Sequence, residues 1–320
     1  MKISIVRDKP INFGGGIKKH CDDLYNLFYN DTNLQIVKIV DFPFWHIPIL
    51  NKSITRFDCL YQHLKSSNCD VVHIHGFMSI IVIQAFIVAK IQKKRIIYSP
   101  HFHPFEYLRC PFLGRIFFHI FIKPLLSFAE KIVTINNEDT NFFKKYHKNV
   151  YKVPHWTNEV KETSIVNRKK NMILFIGRND SNKGLEHLYS LPRDKYEIHC
   201  VTGGVLKRDD FIQHKNISNK ELSILYQEAS IVVVPSRYEA FSLVALEALM
   251  HKVPIIISDR VRIGDYLLGD KGFRIFKYSD YKDFNKSITE ILKDENIDFS
   301  SLIKPFSIEH IKITYETIYT

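Results

Sequence analysis

Two glutamates eight residues apart, Glu239 and Glu247, have the chemistry and spacing to hold a polar ligand. Glu239 follows the β-branched run Ile231–Val234, which predicts a buried strand, and a short polar turn lies between them. Ser242 is suited to cap a helix over Leu243–Met250, and another apolar run follows that helix. The segment therefore predicts a βαβ unit with a carboxylate at the carboxyl end of a strand, which is where open parallel sheets bind ligands.

The spacing of the two carboxylates argues against a hydrolase. A fully helical segment would hold them ~12 Å apart, whereas the paired carboxyl groups of a glycosidase lie about 5–9.5 Å apart. The pair is better interpreted as two contacts to one long ligand, with the amides at the helix N-terminus holding an anion between them. A sugar joined through a diphosphate to a nucleoside has that form.

A second phosphate-binding pattern follows the predicted strand Met172–Ile176. The turn GRNDSNKG carries Arg178 and Lys183, and a helix is predicted from Leu185. Arginine offers a planar fork and lysine a compact charge, and both suit a diphosphate. The ordinary alternative to a phosphate site is that both side chains are solvated cations of a loop that binds no ligand.

A glycine cluster, Gly14–Gly16, precedes a helix predicted over Ile17–Phe28 and follows the predicted strand Met1–Arg7. Glycines at a strand-to-helix junction allow backbone amides to approach a phosphate closely, although such turns also occur for structural reasons.

Two His-x-His pairs lie at the ends of predicted strands, His73 with His75 and His101 with His103, and an apolar helix is predicted over Phe77–Ala89 after the first pair. Such pairs can bind a metal, but the sequence supplies neither pair with a convincing third ligand or carboxylate. We therefore predict hydrogen-bonded histidines and no metal.

These segments together resemble a known family. PSRYEAFSLVALEA resembles the E-x7-E signature of retaining glycosyltransferases of family 4, which have the GT-B fold, and GR-x4-KG resembles the donor diphosphate site of that family. GGGIKKHCDDL, DVVHIHG and YSPHFHP resemble its first loop and two strands of its first domain. The resemblance covers nearly the whole chain, with its specificity concentrated in residues 177–184 and 235–254. Ser242, Lys252 and the segment at Arg262 depart from the pattern and put donor preference in doubt.

The resemblance implies an α/β GT-B fold, with two Rossmann-like doubly wound domains facing each other across a cleft. The domains are predicted as residues 1–160 on the acceptor side and 161–306 on the nucleotide-sugar side, with 307–320 returning to the first as a helix. The polar stretch Glu159–Lys170 is the predicted linker.

The resemblance also implies roles for individual residues. Glu239 would hold the donor sugar, Glu247 the ribose, and His101 the sugar and its β-phosphate. Lys183 and Arg178 would stabilise the leaving diphosphate. The predicted catalytic residues are Glu239, His101, Arg178 and Lys183; the predicted donor-binding residues are Gly15, Gly16, Arg178, Lys183, Glu239, Ala240, Phe241, Ser242, Leu243, Val244 and Glu247. The donor would be a UDP- or GDP-sugar and the acceptor a glycan or lipid-linked hydroxyl. The configuration would be retained by front-face attack, without a metal or cofactor.

The composition favours an anionic partner. The chain has 320 residues and a formal net charge of +11. Its five cysteines form no regular framework, and no signal peptide or sufficiently long apolar run is evident, so a cytoplasmic location is expected. In the basic and aromatic stretch Tyr107–Leu126, Pro111 and Pro124 are predicted to bracket a helix. This helix would either dock on an anionic membrane at its inner face or be buried on one side in the first domain.

Four alternatives remain open. A GT-B epimerase or phosphorylase would share the architecture, although no pyridoxal-binding lysine is recognisable. A metal-dependent hydrolase would use the histidine pairs. A non-enzymatic basic module that binds nucleic acid or membrane would explain the charge but not the two carboxylates or the phosphate-binding turn, so nucleic acid is not a predicted partner.

Overall fold

The computed structural model of the protein describes residues 1–8, 16–40, 44–47, 52–102, 111–157 and 168–320. Its contacts divide the chain into two compact units, which we call unit 1 (Met1–His155 with Ile308–Thr320) and unit 2 (Trp156–Ser307). The predicted boundary between residues 160 and 161, and most of the predicted linker, lie outside the described residues, so the domain limits stay a prediction.

Fourteen strands are formed by the described residues. They are β1 (Lys2–Arg7), β2 (Gln35–Val40), β3 (Phe44–Ile47), β4 (Lys52–Thr55), β5 (Val71–His75), β6 (Arg95–Ser99), β7 (Lys131–Thr134), β8 (Val150–Lys152), β9 (Met172–Ile176), β10 (Glu197–Val201), β11 (Ile212–His214), β12 (Ile231–Val234), β13 (Ile255–Ser258) and β14 (Phe273–Phe276).

The α-helices of the described part of the chain alternate with these strands. They are α1 (Gly16–Phe28), α2 (Phe57–Ser66), α3 (Ile80–Ile91), α4 (Pro111–Phe117), α5 (Asn137–Phe143), α6 (Asn219–Glu228), α7 (Leu243–Met250), α8 (Tyr281–Ile291), α9 (Phe299–Ile303) and α10 (Ile308–Tyr319).

Each unit contains one six-stranded sheet whose strands are all parallel. The order is β2-β1-β5-β6-β7-β8 in unit 1 and β11-β10-β9-β12-β13-β14 in unit 2. The central strands β9 and β12 of unit 2 are apolar along their whole length because a parallel sheet of this kind is covered on both faces. All four residues of β12, for example, are buried. The prediction of two doubly wound α/β domains is confirmed.

The strand order fixes where a ligand can bind in each unit. In unit 1 the order reverses between β1 and β5, and in unit 2 it reverses between β9 and β12. The loops that follow the two strands at such a reversal diverge and leave a crevice at the carboxyl edge of the sheet.

Helix α10 belongs to unit 1 although it follows unit 2 in the chain. Tyr315 and Tyr319 are fully buried, and the Tyr319 hydroxyl lies 2.7 Å from Nδ1 of His73 on β5. The Lys312 ammonium forms a 2.8 Å ion pair with Asp31, which lies in the loop after α1. The last helix is therefore fastened to unit 1 by both apolar and polar contacts.

Three helix predictions need correction. The helix expected from Leu185 is a 3₁₀-helix over Leu185–Ser190, because Pro192 disfavours helical backbone at Leu191. The helix expected at Phe77 begins at Ile80, where the side chain of Ser79 accepts a hydrogen bond from the amide of Ile81.

The third correction concerns the single helix expected between Pro111 and Pro124. Helix α4 passes into a π-helix over Phe118–Ile122 and then a 3₁₀-helix over Lys123–Phe128, so Pro124 lies in the first turn of a new helical segment and does not end the old one. Among the described residues, no helix has the length and apolar character needed to cross a membrane.

Candidate functional site

The crevice of unit 2 is formed by the turns that follow β9 and β12. Gly184 ends the first turn with φ +67°, and a Cβ there would lie 1.8 Å from the carbonyl oxygen of Pro235 in the second turn. Glycine is therefore required for the two turns to touch. The contact is extended by two hydrogen bonds, from the Arg237 amide to the Asn182 carbonyl (2.7 Å) and from Asn182 Nδ2 to the Tyr238 carbonyl (3.1 Å).

This contact brings Lys183 and Glu239 together. The Lys183 ammonium lies 2.8 Å from Oε1 of Glu239, and the Ser236 hydroxyl donates to the same oxygen at 2.6 Å. The two charged side chains are only 21% and 14% exposed. The backbone of Glu239 is held as well, by hydrogen bonds to Arg260 and Arg262. A carboxylate and an ammonium fixed side by side can accept from sugar hydroxyls and donate to a phosphate.

Arg178 is placed differently from Lys183. Its side chain is 77% exposed and its Nε lies 3.0 Å from Asp180. Asp180 also shapes the turn, because its Oδ1 accepts hydrogen bonds from the amides of Asn182 and Lys183 at 3.0 and 3.1 Å. The two cations of the GR-x4-KG turn are thus each beside a carboxylate, one shielded and one in solvent.

Glu247 lies on α7, which begins only at Leu243, where the Ser242 side chain caps the amide of Ala245. Residues between Glu239 and that cap are not helical, so the ~12 Å separation of a fully helical segment does not apply to the two glutamates, while the helix has its predicted bounds, Leu243–Met250. The first amides of α7, at Leu243 and Val244, have no acceptor within the helix.

The carboxylate of Glu247 is oriented by a neighbouring helix. The Tyr226 hydroxyl of α6 donates to Oε2 of Glu247 at 3.0 Å, and its ring stacks on His251 with centroids 4.7 Å apart. Burial, followed by the Glu247 charge, raises the pKa of Tyr226 well above its ordinary value, so the hydroxyl remains a donor. Sequence reasoning missed Tyr226, since nothing local marks it as a partner of Glu247.

The crevice of unit 1 carries a group of histidines. His73 and His75 are buried on one face of β5, as alternate residues of a strand must be. His73 contacts the hydroxyls of Tyr319 (2.7 Å) and Ser99 (2.8 Å) through its two ring nitrogens. His75 Nδ1 lies 3.0 Å from Nε2 of His101, which has a left-handed φ of 46° directly after β6.

Two further histidines join this group from distant positions. His20 on α1 approaches His155 with the two Nδ1 atoms 2.7 Å apart, and its Nε2 lies 3.2 Å from the Tyr315 hydroxyl. Burial, reinforced by neighbouring histidines, lowers the pKa of His20 well below its ordinary value and that of His155 to about 3. Sequence reasoning missed His20 as a neighbour of the His-x-His pairs; ring nitrogens of His20, His75 and His101 lie within 4.8 Å of one another.

The remaining predicted site residues are more scattered. Gly16 is exposed at the start of α1, with no atom within 4 Å of the place where a Cβ would lie. Ala240, Phe241 and Ser242 lie in the turn after β12. Gly15 and His103 lie outside the described residues.

Known proteins resemble this chain in sequence. Residues 157–303 match the family model described as Glycosyl transferases group 1. An uncharacterized 41.2 kDa protein in the cps region of Klebsiella pneumoniae is 25% identical over 271 residues, which are 76% of this chain and 74% of that protein. An uncharacterized glycosyltransferase of Methanocaldococcus jannaschii is 23% identical, over 73% of this chain and 68% of its own length.

Solved structures share the fold at low sequence identity. A sucrose-phosphate synthase from Thermosynechococcus elongatus superposes with a TM-score of 0.74 at 16% identity, covering 99% of this chain and 98% of that one. The lipopolysaccharide outer core galactosyltransferase WaaB gives a TM-score of 0.75 at 15% identity, and the match covers 100% of this chain and 99% of that one. Anabaena HepE, in complex with UDP, superposes with a TM-score of 0.73 at 11% identity. The match covers 100% of this chain and 99% of that one. With its two parallel-sheet units, the chain has a GT-B fold, and its residues 157–303 match the Glycosyl transferases group 1 model.

Proposed function

We propose that the protein is a retaining glycosyltransferase that moves a sugar from a nucleotide diphosphate donor to a hydroxyl acceptor. The observation that carries the proposal is the shielded Lys183–Glu239 pair at the strand reversal of a group 1 domain. Doubly wound sheets bind their ligands at this reversal. The pair offers an acceptor for sugar hydroxyls and a cation for the diphosphate within one hydrogen bond of each other.

Catalysis would come from stabilising the charge that grows on the leaving diphosphate. We assign this role to Lys183, Arg178 and the first amides of α7, because donors fixed in advance around a developing anion usually make the largest contribution to catalysis. These groups would replace the divalent metal that other transferases use. The leaving phosphate would then accept the proton of the attacking hydroxyl on the same face of the sugar.

The remaining assignments follow the family resemblance. Glu239 would hold the donor sugar, Glu247 the ribose, and His101, Gly15 and Gly16 would position the sugar and diphosphate. The carboxylate of Glu247, held by the Tyr226 hydroxyl, is suited to a ribose because it can accept from two adjacent hydroxyls.

The similar proteins support a role in surface-glycan synthesis. One similar protein is encoded in a cps region, another is a lipopolysaccharide outer core galactosyltransferase, and a third was solved with UDP. We therefore propose a UDP-sugar as the first donor to test, with a GDP-sugar as the second, and a growing polysaccharide or lipid-linked glycan as acceptor.

The test is thermal stabilisation by a panel of nucleotide sugars, with and without EDTA. A ligand present at 100 times its dissociation constant stabilises the native state by about 2.7 kcal/mol. We expect one nucleotide sugar to raise the unfolding temperature equally with and without EDTA. Glu247→Ala should lose most of this shift, and Glu290→Ala, which removes an exposed carboxylate of α8 in the same unit, should keep it.

Two outcomes would contradict the proposal. One is that no nucleotide sugar stabilises the wild type. The other is that stabilisation requires an added metal, which would favour a metal-dependent enzyme.

We also propose that the helical segment over residues 111–128 contacts an anionic membrane. Phe112 is 71% exposed and Phe121 47% exposed, and the exposed cation of Arg115 lies between them in sequence. Other exposed apolar residues of the segment are Leu113, Ile116, Ile120 and Phe128. An apolar surface accompanied by basic residues is typical of helices that lie in the headgroup region of a bilayer.

Sedimentation with vesicles tests this surface. We expect binding to vesicles that contain phosphatidylglycerol, less binding to purely zwitterionic vesicles, and weaker binding at high salt. Phe112→Ser combined with Phe121→Ser should abolish binding, whereas Ile313→Ser, at an exposed position of α10, should not. Equal binding by both variants would place the membrane contact elsewhere.

A further inference from the structure

His251 connects the two helices whose side chains meet at Glu247. It caps the C-terminal end of α7, and its backbone amide donates a hydrogen bond to the Glu247 carbonyl at 3.0 Å. Its ring extends to α6, where it contacts the side chains of Ser223 and Tyr226. These two residues are three positions apart on α6, so they lie on the same face of that helix. A single imidazole therefore lies between the end of α7 and one face of α6.

The two hydrogen bonds of the His251 ring determine which nitrogen carries the hydrogen. Nδ1 lies 2.8 Å from the Glu247 carbonyl oxygen, which can only accept, so the hydrogen is on Nδ1. Nε2 then accepts from the Ser223 hydroxyl at 3.0 Å. Burial lowers the pKa of His251, and this effect outweighs the opposite effects of the Glu247 backbone and charge. The ring is therefore neutral near neutral pH and is held in one tautomer and one orientation.

The imidazole held in this way restricts the phenol ring of Tyr226. The two rings are inclined by only 20°, and their centroids are 4.7 Å apart. This arrangement is typical of a favourable aromatic pair. Because the Tyr226 side chain is also fully buried, its ring has little room to turn away from His251.

The position of the phenol decides which acceptor its hydroxyl uses. Oε2 of Glu247 lies 3.0 Å from the Tyr226 oxygen, and the carbonyl oxygen of Val244 lies 3.5 Å away. The shorter contact is made to a charged acceptor, and hydrogen bonds of that kind are the stronger ones. A phenol that moved toward Val244 would give up one of the contacts that orient the Glu247 carboxylate.

We propose that His251 is a positioning residue for nucleotide-sugar binding, which keeps the Tyr226 hydroxyl on Glu247 and so keeps that carboxylate oriented for the ribose. The inference rests on the proposed function, because it takes Glu247 to be the group that binds the ribose. His251 acts through Tyr226 and not on the donor directly. Its substitution should therefore weaken donor binding and leave the chemical step unchanged.

A purely structural role for His251 predicts a different result. As the C-cap of α7, the residue would then stabilise unit 2 without affecting the orientation of Glu247. Its substitution would lower the unfolding temperature, and any effect on donor binding would be independent of the Tyr226 hydroxyl.

A double-mutant cycle with Tyr226→Phe separates the two roles. Isothermal titration calorimetry measures the Kd of the nucleotide sugar identified by the thermal-shift panel for the wild type, both single variants and the double variant. We expect His251→Ala to raise this Kd about two- to tenfold, as the loss of one aromatic pair would, with kcat unchanged. In the Tyr226→Phe background the same substitution should have no further effect, since the hydroxyl through which His251 acts is absent.

Two further variants test the route and the specificity of the effect. His251→Phe keeps a stacked ring and should recover most of the affinity that His251→Ala loses. Asp294→Asn is the control for stability, because it weakens the 2.6 Å ion pair of a buried carboxylate with Arg274 elsewhere in unit 2. It should lower the unfolding temperature without raising the Kd.

Three results would overturn the inference. They are an equal effect of His251→Ala in both backgrounds, a fall in kcat at unchanged Kd, and an affinity of His251→Phe no better than that of His251→Ala. If circular dichroism shows that His251→Ala is unfolded, His251→Asn takes its place in the cycle, because asparagine keeps an N–H donor for the Glu247 carbonyl but has no ring. A wild type that binds no nucleotide sugar would refute the proposed function, and this inference with it.

Discussion

Lys183 lies where a single side chain can influence both binding and chemistry. Its ammonium is 2.8 Å from Glu239 and is mostly shielded from solvent. If it stabilises the leaving diphosphate, Lys183→Ala should lower kcat by about 10²–10³-fold, as the loss of one fixed donor does in other enzymes. Steady-state kinetics with the donor identified by the nucleotide panel measure this effect.

The matched control for Lys183 is Lys286→Ala, which removes an exposed cation of the same unit near Glu290. It should leave kcat unchanged. A Lys183→Ala enzyme with kcat within threefold of the wild type would show that this ammonium has a structural role only.

Tyr226 gives a more selective prediction because its hydroxyl acts through Glu247. A hydrogen bond to a charged group contributes roughly 1.5–3 kcal/mol, so Tyr226→Phe should raise the KM for the nucleotide sugar about tenfold or more and change kcat little. The ring is almost fully buried, and phenylalanine fills the same space. A fall in kcat at unchanged KM would contradict the assignment of Glu247 to ribose binding.

At this scale the sequence indicates residues whose partners are close along the chain. Arg178, Lys183 and Glu239 were named from their own turns, and the Ser242 cap was predicted from local chemistry and is confirmed. Tyr226 and His20 cannot be identified in this way, because their hydrogen-bond partners are at least 21 residues away in sequence and are brought near by tertiary packing. Asp180 could have been found, since an aspartate in a polar turn often accepts from amides two and three residues on.

The element that positions the Lys183–Glu239 pair is the turn that ends at Gly184. Gly184→Ala would force a left-handed residue with a side chain into the carbonyl of Pro235, at 1.8 Å. We expect a loss of at least about 1–3 kcal/mol in unfolding free energy, accompanied by weaker nucleotide-sugar binding. Urea-induced unfolding and the thermal-shift assay measure the two effects.

Gly203→Ala is the control for that turn. It lies after β10 in the same unit, and no atom lies within 4 Å of the place its Cβ would take. Its effect should stay within about 0.5 kcal/mol. Equal effects of the two substitutions would mean that the approach of the two turns matters little.

The bounds of secondary-structure elements were predicted best for buried strands, which have an uninterrupted apolar run as their signal. The β-branched runs at Met172–Ile176, Ile231–Val234 and Ile255–Ser258 are strands with the predicted bounds. The segment after Gly184 has the composition of a helix, but it forms 3₁₀ turns that end at Ser190, two residues before Pro192. Residues 118–128 also deviate, because helical composition does not distinguish α, π and 3₁₀ hydrogen bonding.

The attachment of α10 to unit 1 predicts a pH dependence of the whole protein. Hydrogen bonds from the Lys312 ammonium and from the amides of Leu34 and Asn33 lower the pKa of Asp31 from 3.8 to about 2. A carboxyl group whose pKa is lower in the folded state stabilises that state above its unfolded pKa. This contribution should therefore disappear as the pH falls from about 4 to about 2.

Asp31→Asn isolates the effect. The variant should be less stable than the wild type at pH 6, and the difference between them should shrink below pH 4. Asp209→Asn, at an exposed aspartate of unit 2, should follow the wild-type curve. Thermal unfolding across this pH range measures the stability of the wild type and of both variants. A difference between Asp31→Asn and the wild type that does not change with pH would refute the lowered pKa of Asp31 as its cause.

The doubly wound architecture was predictable because alternating apolar strands and helices admit few topologies. The class allows more than one strand order, so the position of each crevice is given by the observed order. The meeting of His20, His75, His101 and His155 was not predictable, since it requires α1, two strand ends and the chain after β8 to be placed within a few ångströms.

The split composition of unit 1 has a consequence for biosynthesis. Unit 2 is a continuous stretch of chain, whereas unit 1 is completed only by Ile308–Thr320. On the ribosome, the first 155 residues emerge long before Tyr315 and Tyr319, the tyrosines that contact His20 and His73. Until α10 is synthesised, the nascent unit 1 therefore leaves exposed the apolar surface that Tyr315 and Tyr319 cover in the finished fold, and this surface is the part that a chaperone would protect.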